Sequence, residues 1–383
     1  MANKSLATAK DAKNDEFYTE LYEIQSELSN YVNKFEGKVV FCNCDDPFES
    51  NFVKYFLMNF NRFKLKELIA TGYKTSPIAG KELATVNIPY ALRVTNTTKY
   101  LVGTQTDLDI RGAIYFLQTE GSNIMTPLFG NKYIDENKQE VYYEAGDFRS
   151  EMCIELLKES DIVCTNPPFS LFREYIAQLI KYKKQFLIIG NKNAATYKDF
   201  FSLLKSNQVW FGYNSPTSFI LPDGTHTKKV TGLTRWFTNI DHIKRHQMLP
   251  LDLGCTYENY KEQYPKYDNY NAIEVNKVQK IPCDYKGVMG VPPTFFDKYC
   301  PEQFEILGKT KLLDWANSDD CDFFTPPSKE LQEYYKSLDK TWRVQNAYIL
   351  VNGKPLDVYD RIFIKFTSSY IQTHPEQFNQ GDC

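Results

Sequence analysis

No apolar run in the 383-residue sequence approaches the roughly 20 residues that a membrane-spanning helix requires. The opening stretch MANKSLATAKDAKNDE also lacks the apolar core of a secretory signal. Residues 1–12 are therefore expected to be a disordered polar tail, and the chain to work in the cytoplasm. The nine cysteines include no C-x-x-C pair, and only Cys42 and Cys44 lie close together, which excludes a disulfide framework and a cysteine-based zinc pattern. Charge of one sign is missing too. Lys and Arg number 45 against 48 Asp and Glu, a net −3, which excludes a polycation coating nucleic acid but leaves room for a local positive track. There is no internal repeat, no low-complexity tract, and no helix-turn-helix or zinc-finger signature. Aromatics are abundant instead, with 27 Tyr and 27 Phe, enough to fill a large core and leave some for stacking.

The length suits a catalytic domain plus a smaller one. Apolar residues at Leu21, Ile24, Leu28, Tyr31, Val32 and Phe35 predict an amphipathic helix over 15–36, stopped by Gly37. KVVFCNC (38–44) reads as a buried strand, followed by a turn at Asp45, Asp46 and Pro47, a helix at about 49–61 and a strand at about 66–73. Residues 74–140 look like an irregular insertion with strands at 88–93 and 112–118. Order resumes with strands 161–166 and 185–191 around a helix whose Leu171, Phe172, Tyr175, Ile176, Leu179 and Ile180 share a face, with Ser170 as its N-cap. A helix at 196–206 and strands near 208–213, 217–221 and 234–240 follow. Alternation of this kind predicts an α/β fold with a mostly parallel, doubly wound, Rossmann-like sheet, with ligands beyond the carboxyl ends of its strands. After about residue 245 the pattern fades into Tyr/Pro/Asn-rich sequence that closes with a strand at RIFIKF.

The loop Asn166-Pro167-Pro168-Phe169 follows one of those strands. As a plain turn it needs no further explanation, since Asn-Pro and Pro-Pro favour turns. Its chemistry nevertheless matches one demanding task, methylation of the N6 amino group of adenine. That nitrogen's lone pair is delocalised into the ring, and two hydrogen-bond acceptors on its hydrogens localise it. The Asn166 side-chain carbonyl and the Pro167 backbone carbonyl supply such a pair and stabilise the charge that develops on nitrogen. Two prolines hold the loop rigid without donors of their own. Phe169 offers a flat face for a base extruded from a duplex.

Around this loop stand DIVCTNPPFSLFREYIAQLIKY, NDEFYTE, VVFCNCDDPFESNF, AGDFRS, YPKYDNYNAIEVNK and GVMGVPPTFFDKYCPEQFEI. Together, over about residues 13 to 310, they resemble the EcoRI-type DNA adenine-N6 methyltransferases in content and order. The resemblance implies S-adenosylmethionine as methyl donor, S-adenosylhomocysteine as product and double-stranded DNA as substrate; no metal and no obligate protein partner are expected, and the chain is expected to be a monomer. It implies that Asp15, Phe17, Tyr18 and Thr19 close over the methionine end of the cofactor, and that Asn43, Cys44, Asp45, Asp46 and Pro47 form the cofactor turn. That turn lacks the glycines many methyltransferases carry there. Asp45 and Asp46 are candidates for the cofactor's ammonium or ribose hydroxyls, or else a charge pair at a helix N-terminus. Asp147 and Phe148 would meet its adenine ring. No acid ends the KELIATGY strand, so the ribose-binding carboxylate stays open.

Cys42 and Cys44 read as core thiols, and His242 and His246, spaced i, i+4, as a surface pair. Candidate phosphate contacts are Lys181 and Lys184, Lys228 and Lys229, and Lys244 and Arg245, each also an ordinary solvated face. The expected organisation is a catalytic domain over 13–245 and a smaller C-terminal target-recognition region over 246–383. Transfer to RNA adenine or to a protein glutamine, and a catalytically silent DNA-binding homologue, are the alternatives.

Overall fold

The computed structural model describes residues 18–72, 90–95, 125–134, 138–221, 225–228, 232–310, 324–337, 346–351 and 354–378. The expected tail at 1–12, the 112–118 strand and most of the 74–140 insertion lie outside the described residues. The chain divides into two compact units, Met1–Phe201 with Val209–His242, and Ser202–Gln208 with Ile243–Cys383.

The first unit is built on an eight-stranded sheet. In chain order its strands are β1 (Val39–Cys42), β2 (Glu67–Thr71), β3 (Tyr90–Thr95), β4 (Met125–Pro127), β5 (Ile162–Thr165), β6 (Gln185–Asn191), β7 (Trp210–Phe211) and β8 (Thr234–Thr238). They lie side by side as β7-β8-β6-β5-β1-β2-β3-β4. The middle four, β6, β5, β1 and β2, run parallel. Their sequences VVFC, LIAT, IVCT and FLIIG are buried almost throughout, as parallel strands covered on both faces must be.

Both flanks are antiparallel, so the sheet is mixed, and the mostly parallel arrangement expected from the sequence holds only for its centre. At one flank the cause is visible between β7 and β8. The chain makes an excursion in which Phe219–Ile220 and His226–Thr227 pair with each other, and then returns alongside β7 in the opposite direction. Antiparallel neighbours need no crossover helix, and a strand's direction is not written in its own residues.

The helices are α1 (Leu21–Leu28), α2 (Asn51–Asn59), α3 (Glu151–Glu159), α4 (Phe172–Lys181) and α5 (Lys198–Lys205). Ser50 and Ser150 cap α2 and α3, accepting from Phe52 N at 3.0 Å and Cys153 N at 3.4 Å. The first helix starts later than its apolar period suggests. Tyr18 and Thr19 form a strand against Ile220 and Phe219 before α1 begins, and Ser29–Lys34 continue it as a 3-10 turn.

One side of α1 also carries acids that the period did not explain. Glu23 accepts from Thr217 N at 2.9 Å, Thr217 Oγ1 at 2.6 Å and Ser218 N at 3.0 Å. Glu27, fully buried, accepts from the backbone N–H groups of Tyr213 and Asn214 at 2.6 Å each and from Tyr31 OH at 2.9 Å. These carboxylates give the irregular 213–218 segment the hydrogen bonds that a sheet would otherwise supply.

The second unit holds a four-stranded sheet in the order Ala272–Glu274, Val288–Val291, Ile362–Phe366, Phe304–Lys309, and a separate hairpin of Ala347–Val351 with Lys354–Val358. RIFIKF forms a strand as expected, but its partners, three to six residues long, escaped a reading based on periodicity. Inside this unit Arg361 donates from Nε and Nη2 to both oxygens of the buried Glu274, which also accepts from Tyr267 OH.

Glu27→Ala would leave three donors without their acceptor, at about 1 kcal/mol or more each, so urea unfolding is expected to give a loss of at least about 3 kcal/mol. Glu36→Ala, which removes an exposed ion pair with Lys64, is expected to change stability by less than about 1 kcal/mol.

Candidate active site

Because β1, β2, β5 and β6 are parallel, the segments leaving their carboxyl ends emerge along one edge of the sheet. These are the 43–47 turn, Gly72, the 166–169 loop and the residues after Asn191. Asn166 is half-buried, Pro167 buried, and Phe169 half-buried against the main core. Leu171 N donates to Pro168 O at 3.0 Å, so the loop closes at once into a 3-10 turn over Phe169–Leu171. That turn displaces the expected cap: α4 starts at Phe172 with Leu171 at its N-cap position and no side-chain cap, and Ser170 lies inside the turn.

The start of α4 is seated on β6 at Gly190, where a Cβ would come within 2.3 Å of the Phe172 ring. Only glycine permits that approach, and it sets how far α4, and the loop before it, stand from the strand ends. Phe172 packs in turn on Phe200 and Phe237. One turn further along α4, the buried Tyr175 donates its hydroxyl to Asn43 Oδ1, which ties the helix after the 166–169 loop to the turn after β1.

Among the residues expected at the cofactor, Thr19 Oγ1 and Asn43 Nδ2 are buried without a hydrogen-bond partner. Both sit at this edge. Asn51 Nδ2, in the first turn of α2, donates to Thr19 O at 2.9 Å and so holds the Tyr18–Thr19 strand against the end of the 43–50 turn. Orphaned buried groups of this kind suit a polar ligand that completes them.

The two acids of the turn behave differently. Asp45 accepts from Ser50 Oγ at 2.7 Å and from Thr165 Oγ1, one hydroxyl on each oxygen, and its N–H donates to Thr71 O at 3.3 Å. Burial pushes its carboxyl up to about 7, against the hydroxyl hydrogen bonds that pull it down. Asp46 Oδ1 accepts from Phe48 N at 2.9 Å and Glu49 N at 2.8 Å, capping the turn that leads into α2. Where the acid missing from the end of β2 would stand, Gly72 packs directly on this turn: a Cβ there would lie 3.1 Å from Asp46 Cα and 3.4 Å from Pro47 Cδ.

Asp147 is buried and doubly bonded to Arg149, from Nε at 2.9 Å and Nη2 at 2.7 Å, and it accepts from Arg149 N at 2.9 Å. The guanidinium lies over the Tyr143 and Phe148 rings at 4.8 and 5.2 Å and donates to Glu174 at 3.1 Å. Phe148 is buried edge-on to Tyr175, with ring centroids 5.0 Å apart. Sequence reasoning passed over Arg149, Thr165 and Tyr175. The Asp-x-Arg spacing was the available signal for the first; the others looked like ordinary strand and core-face residues.

Cys42 is fully buried and Cys44 partly so, with both thiols pushed up by burial and the nearby Asp45. No group of metal-ligating side chains occurs among the described residues. Phe17 and Lys229 lie outside the described residues. His242 is not the surface residue expected: it is buried, with Nε2 3.0 Å from Phe211 O and its ring against Tyr31 and Tyr213. His246 is exposed and pairs with Glu302 at 2.7 Å.

Among the candidate phosphate contacts, Lys181 and Lys228 are exposed and Lys244 half-buried. Arg245 donates to Asn207 at 3.1 Å. Lys184 instead donates to the carbonyls of Lys158 and Ser160 at 2.7 and 2.6 Å, a structural role at the end of α3.

A carboxyl raised by burial opposes folding when it ionises. The unfolded chain loses the Asp45 proton near 3.8 and the folded chain near 7, so Asp45 is expected to lower stability progressively as pH rises through that interval. Urea unfolding at a series of pH values is expected to show this decline in the native protein and a flatter profile in Asp45→Asn; an identical slope in both would refute it.

Residues 5–366 match the family described as adenine-specific methyltransferase EcoRI. The Type II methyltransferase M.EcoRI of Escherichia coli is 42% identical over 329 residues, covering 82% of this chain and 91% of its own. M.MgeORF184P of Mycoplasma genitalium is 37% identical over 317 residues, covering 78% and 84%. M.MpnI of Mycoplasma pneumoniae is 36% identical over 318 residues, covering 78% and 83%. No solved structure matches the chain. The loop, the turn opposite it and a family match over nearly the whole length agree: the chain belongs to the EcoRI family of adenine-specific methyltransferases.

Proposed function

We propose that this chain is a site-specific DNA methyltransferase that transfers a methyl group to N6 of an adenine extruded from duplex DNA, as a Type II modification enzyme. The observation that carries the reading is the Asn166-Pro167-Pro168-Phe169 loop at the carboxyl end of β5, in the middle of the parallel strands. The mixed sheet is taken as a variant of the Rossmann-like methyltransferase fold, with 13–245 as catalytic domain and 246–383 as target-recognition region. Its named relatives are Type II methyltransferases, which supports duplex DNA as the substrate and the cytoplasm as the place of action.

Thr19, Asn43 and the turn through Pro47 are assigned to the methionine end of S-adenosylmethionine, where the orphaned Thr19 Oγ1 and Asn43 Nδ2 find partners. Asp147 and Phe148 are assigned to its adenine, with Arg149 orienting the Asp147 carboxylate. When bound, the cofactor supplies an electrophilic methyl group on a sulfonium.

Asn166 Oδ1 and Pro167 O are the acceptors assigned to the two N6 hydrogens, while Pro168 O accepts from Leu171 N and closes the loop. Their pull localises the nitrogen lone pair and stabilises the positive charge that grows on it. Phe169, anchored in the core on one side, stacks on the extruded base with what it leaves exposed. The candidate phosphate contacts are Lys181, Lys184, Lys228, Lys229, Lys244 and Arg245.

Asn166→Ala is expected to abolish transfer while cofactor affinity stays within roughly tenfold, because only transition-state contacts are lost. Steady-state turnover measured beside cofactor titration checks this, and normal turnover would refute it. Phe169→Ala is expected to weaken capture of the extruded base, read as a smaller rise in 2-aminopurine fluorescence at the target position; an unchanged rise would remove the stacking role. Long-read mapping of N6-methyladenine in DNA from cells expressing the protein is expected to place the mark at one short sequence, and scattered or absent marks would contradict site specificity.

A further inference from the structure

The residue before Asn166 is Thr165, the last residue of β5, and it is completely buried. Its main chain pairs with Ile188 of β6, so the strand needs nothing from its side chain. The rest of the strand is Ile162, Val163 and Cys164, and a valine at 165 would fill the same space without a hydroxyl. The hydroxyl instead donates to Asp45, whose other oxygen accepts from Ser50 Oγ at 2.7 Å and whose N–H reaches Thr71 O at 3.3 Å.

One residue therefore joins several ends: the Asp45 carboxylate ties the end of β5 to Ser50, the residue before α2, and its backbone N–H ties the turn after β1 to the end of β2. Keeping it buried is unfavourable, as its upward-pushed carboxyl testifies. What the bond provides is direction. It fixes the spacing between β5 and the 43–47 turn at the point where the 166–169 loop leaves the sheet.

We propose that Thr165 and Asp45 are a positioning pair for methyl transfer, holding Asn166 in register with the cofactor turn. Neither acts on the reacting atoms; the pair acts through the loop and the turn. With one hydroxyl on each oxygen, Asp45 supports the turn from within, which leaves Thr19 and Asn43 as the groups facing the cofactor's polar end. The inference rests on the assignment of Asn166 as acceptor for the amino group.

The test compares Thr165→Val and Thr165→Ser with the native enzyme and with Asn166→Ala, in single-turnover methyl transfer to duplex DNA and in cofactor titration. Displacement of the loop by a fraction of its productive geometry predicts that Thr165→Val slows transfer by roughly 10- to 100-fold with cofactor affinity within about threefold. Thr165→Ser, which restores the donor, should recover most of the rate. Native-like transfer by Thr165→Val overturns the proposal. So does a loss of cofactor affinity equal to the loss of rate, which would make the pair a cofactor-binding element only. If Thr165→Val does not fold, Thr165→Ala removes the same donor, with the same expected split, the same recovery in Thr165→Ser and the same overturning results. Normal transfer by Asn166→Ala would instead defeat the underlying catalytic assignment, whatever Thr165→Val does.

Discussion

Four parallel strands buried on both faces leave the chain no choice about where its polar segments can go. Each strand ends at the same edge, and whatever follows it must turn there. That constraint brings together residues far apart in sequence: Thr19 by way of Asn51, Asn43 to Pro47, Gly72, and Asn166 to Phe169. Apolar burial of strands such as VVFC and IVCT provides the stability. The polar edge draws on it.

How the edge is held explains much of the rest. Direct bonds run between neighbouring turns, Thr165 to Asp45, Tyr175 to Asn43, and Ser50 to Asp45. Gly190 lets Phe172 seat α4 against β6, so the helix after the catalytic loop starts at a fixed distance from the sheet. Glu23 and Glu27 perform a similar service for 213–218, a segment with no ladder of its own, and so support the strand that pairs with Tyr18 and Thr19. A rigid frame of this kind suits a reaction in which the protein's task is to place two acceptors on one amino group.

Much of this was legible in the sequence where a local pattern carried it. Strands β1, β5 and β6 stood out as apolar runs, α4 by its helical period, and the Asn166 loop by its unusual letters and its place after a strand. What depended on pairing or on distant partners did not stand out. Strand direction at the β7–β8 flank follows from the excursion between the two strands, not from Trp210 or Thr234. His242 looked like a surface residue because spacing alone says nothing of Tyr31 and Tyr213 closing over it. Ser170 looked like a cap because the Pro168 to Leu171 turn could not be foreseen. The bonds of Lys184 to two carbonyls at the end of α3 were not foreseeable either, since those partners lie 24 and 26 residues away. The short strands of the second unit lay hidden in Tyr/Pro/Asn-rich sequence for the same reason: three buried residues make no period.

Methylation of the adenine amino group of duplex DNA by the Asn166 loop, as proposed, leaves its product in the DNA itself. Incubation with S-adenosylmethionine labelled in its methyl group, in a mixture of duplex DNA, RNA and protein, followed by nucleoside and amino-acid analysis, tests it most directly. Label is expected in DNA as N6-methyladenine. Label confined to RNA, to glutamine in protein or to another DNA base would contradict it.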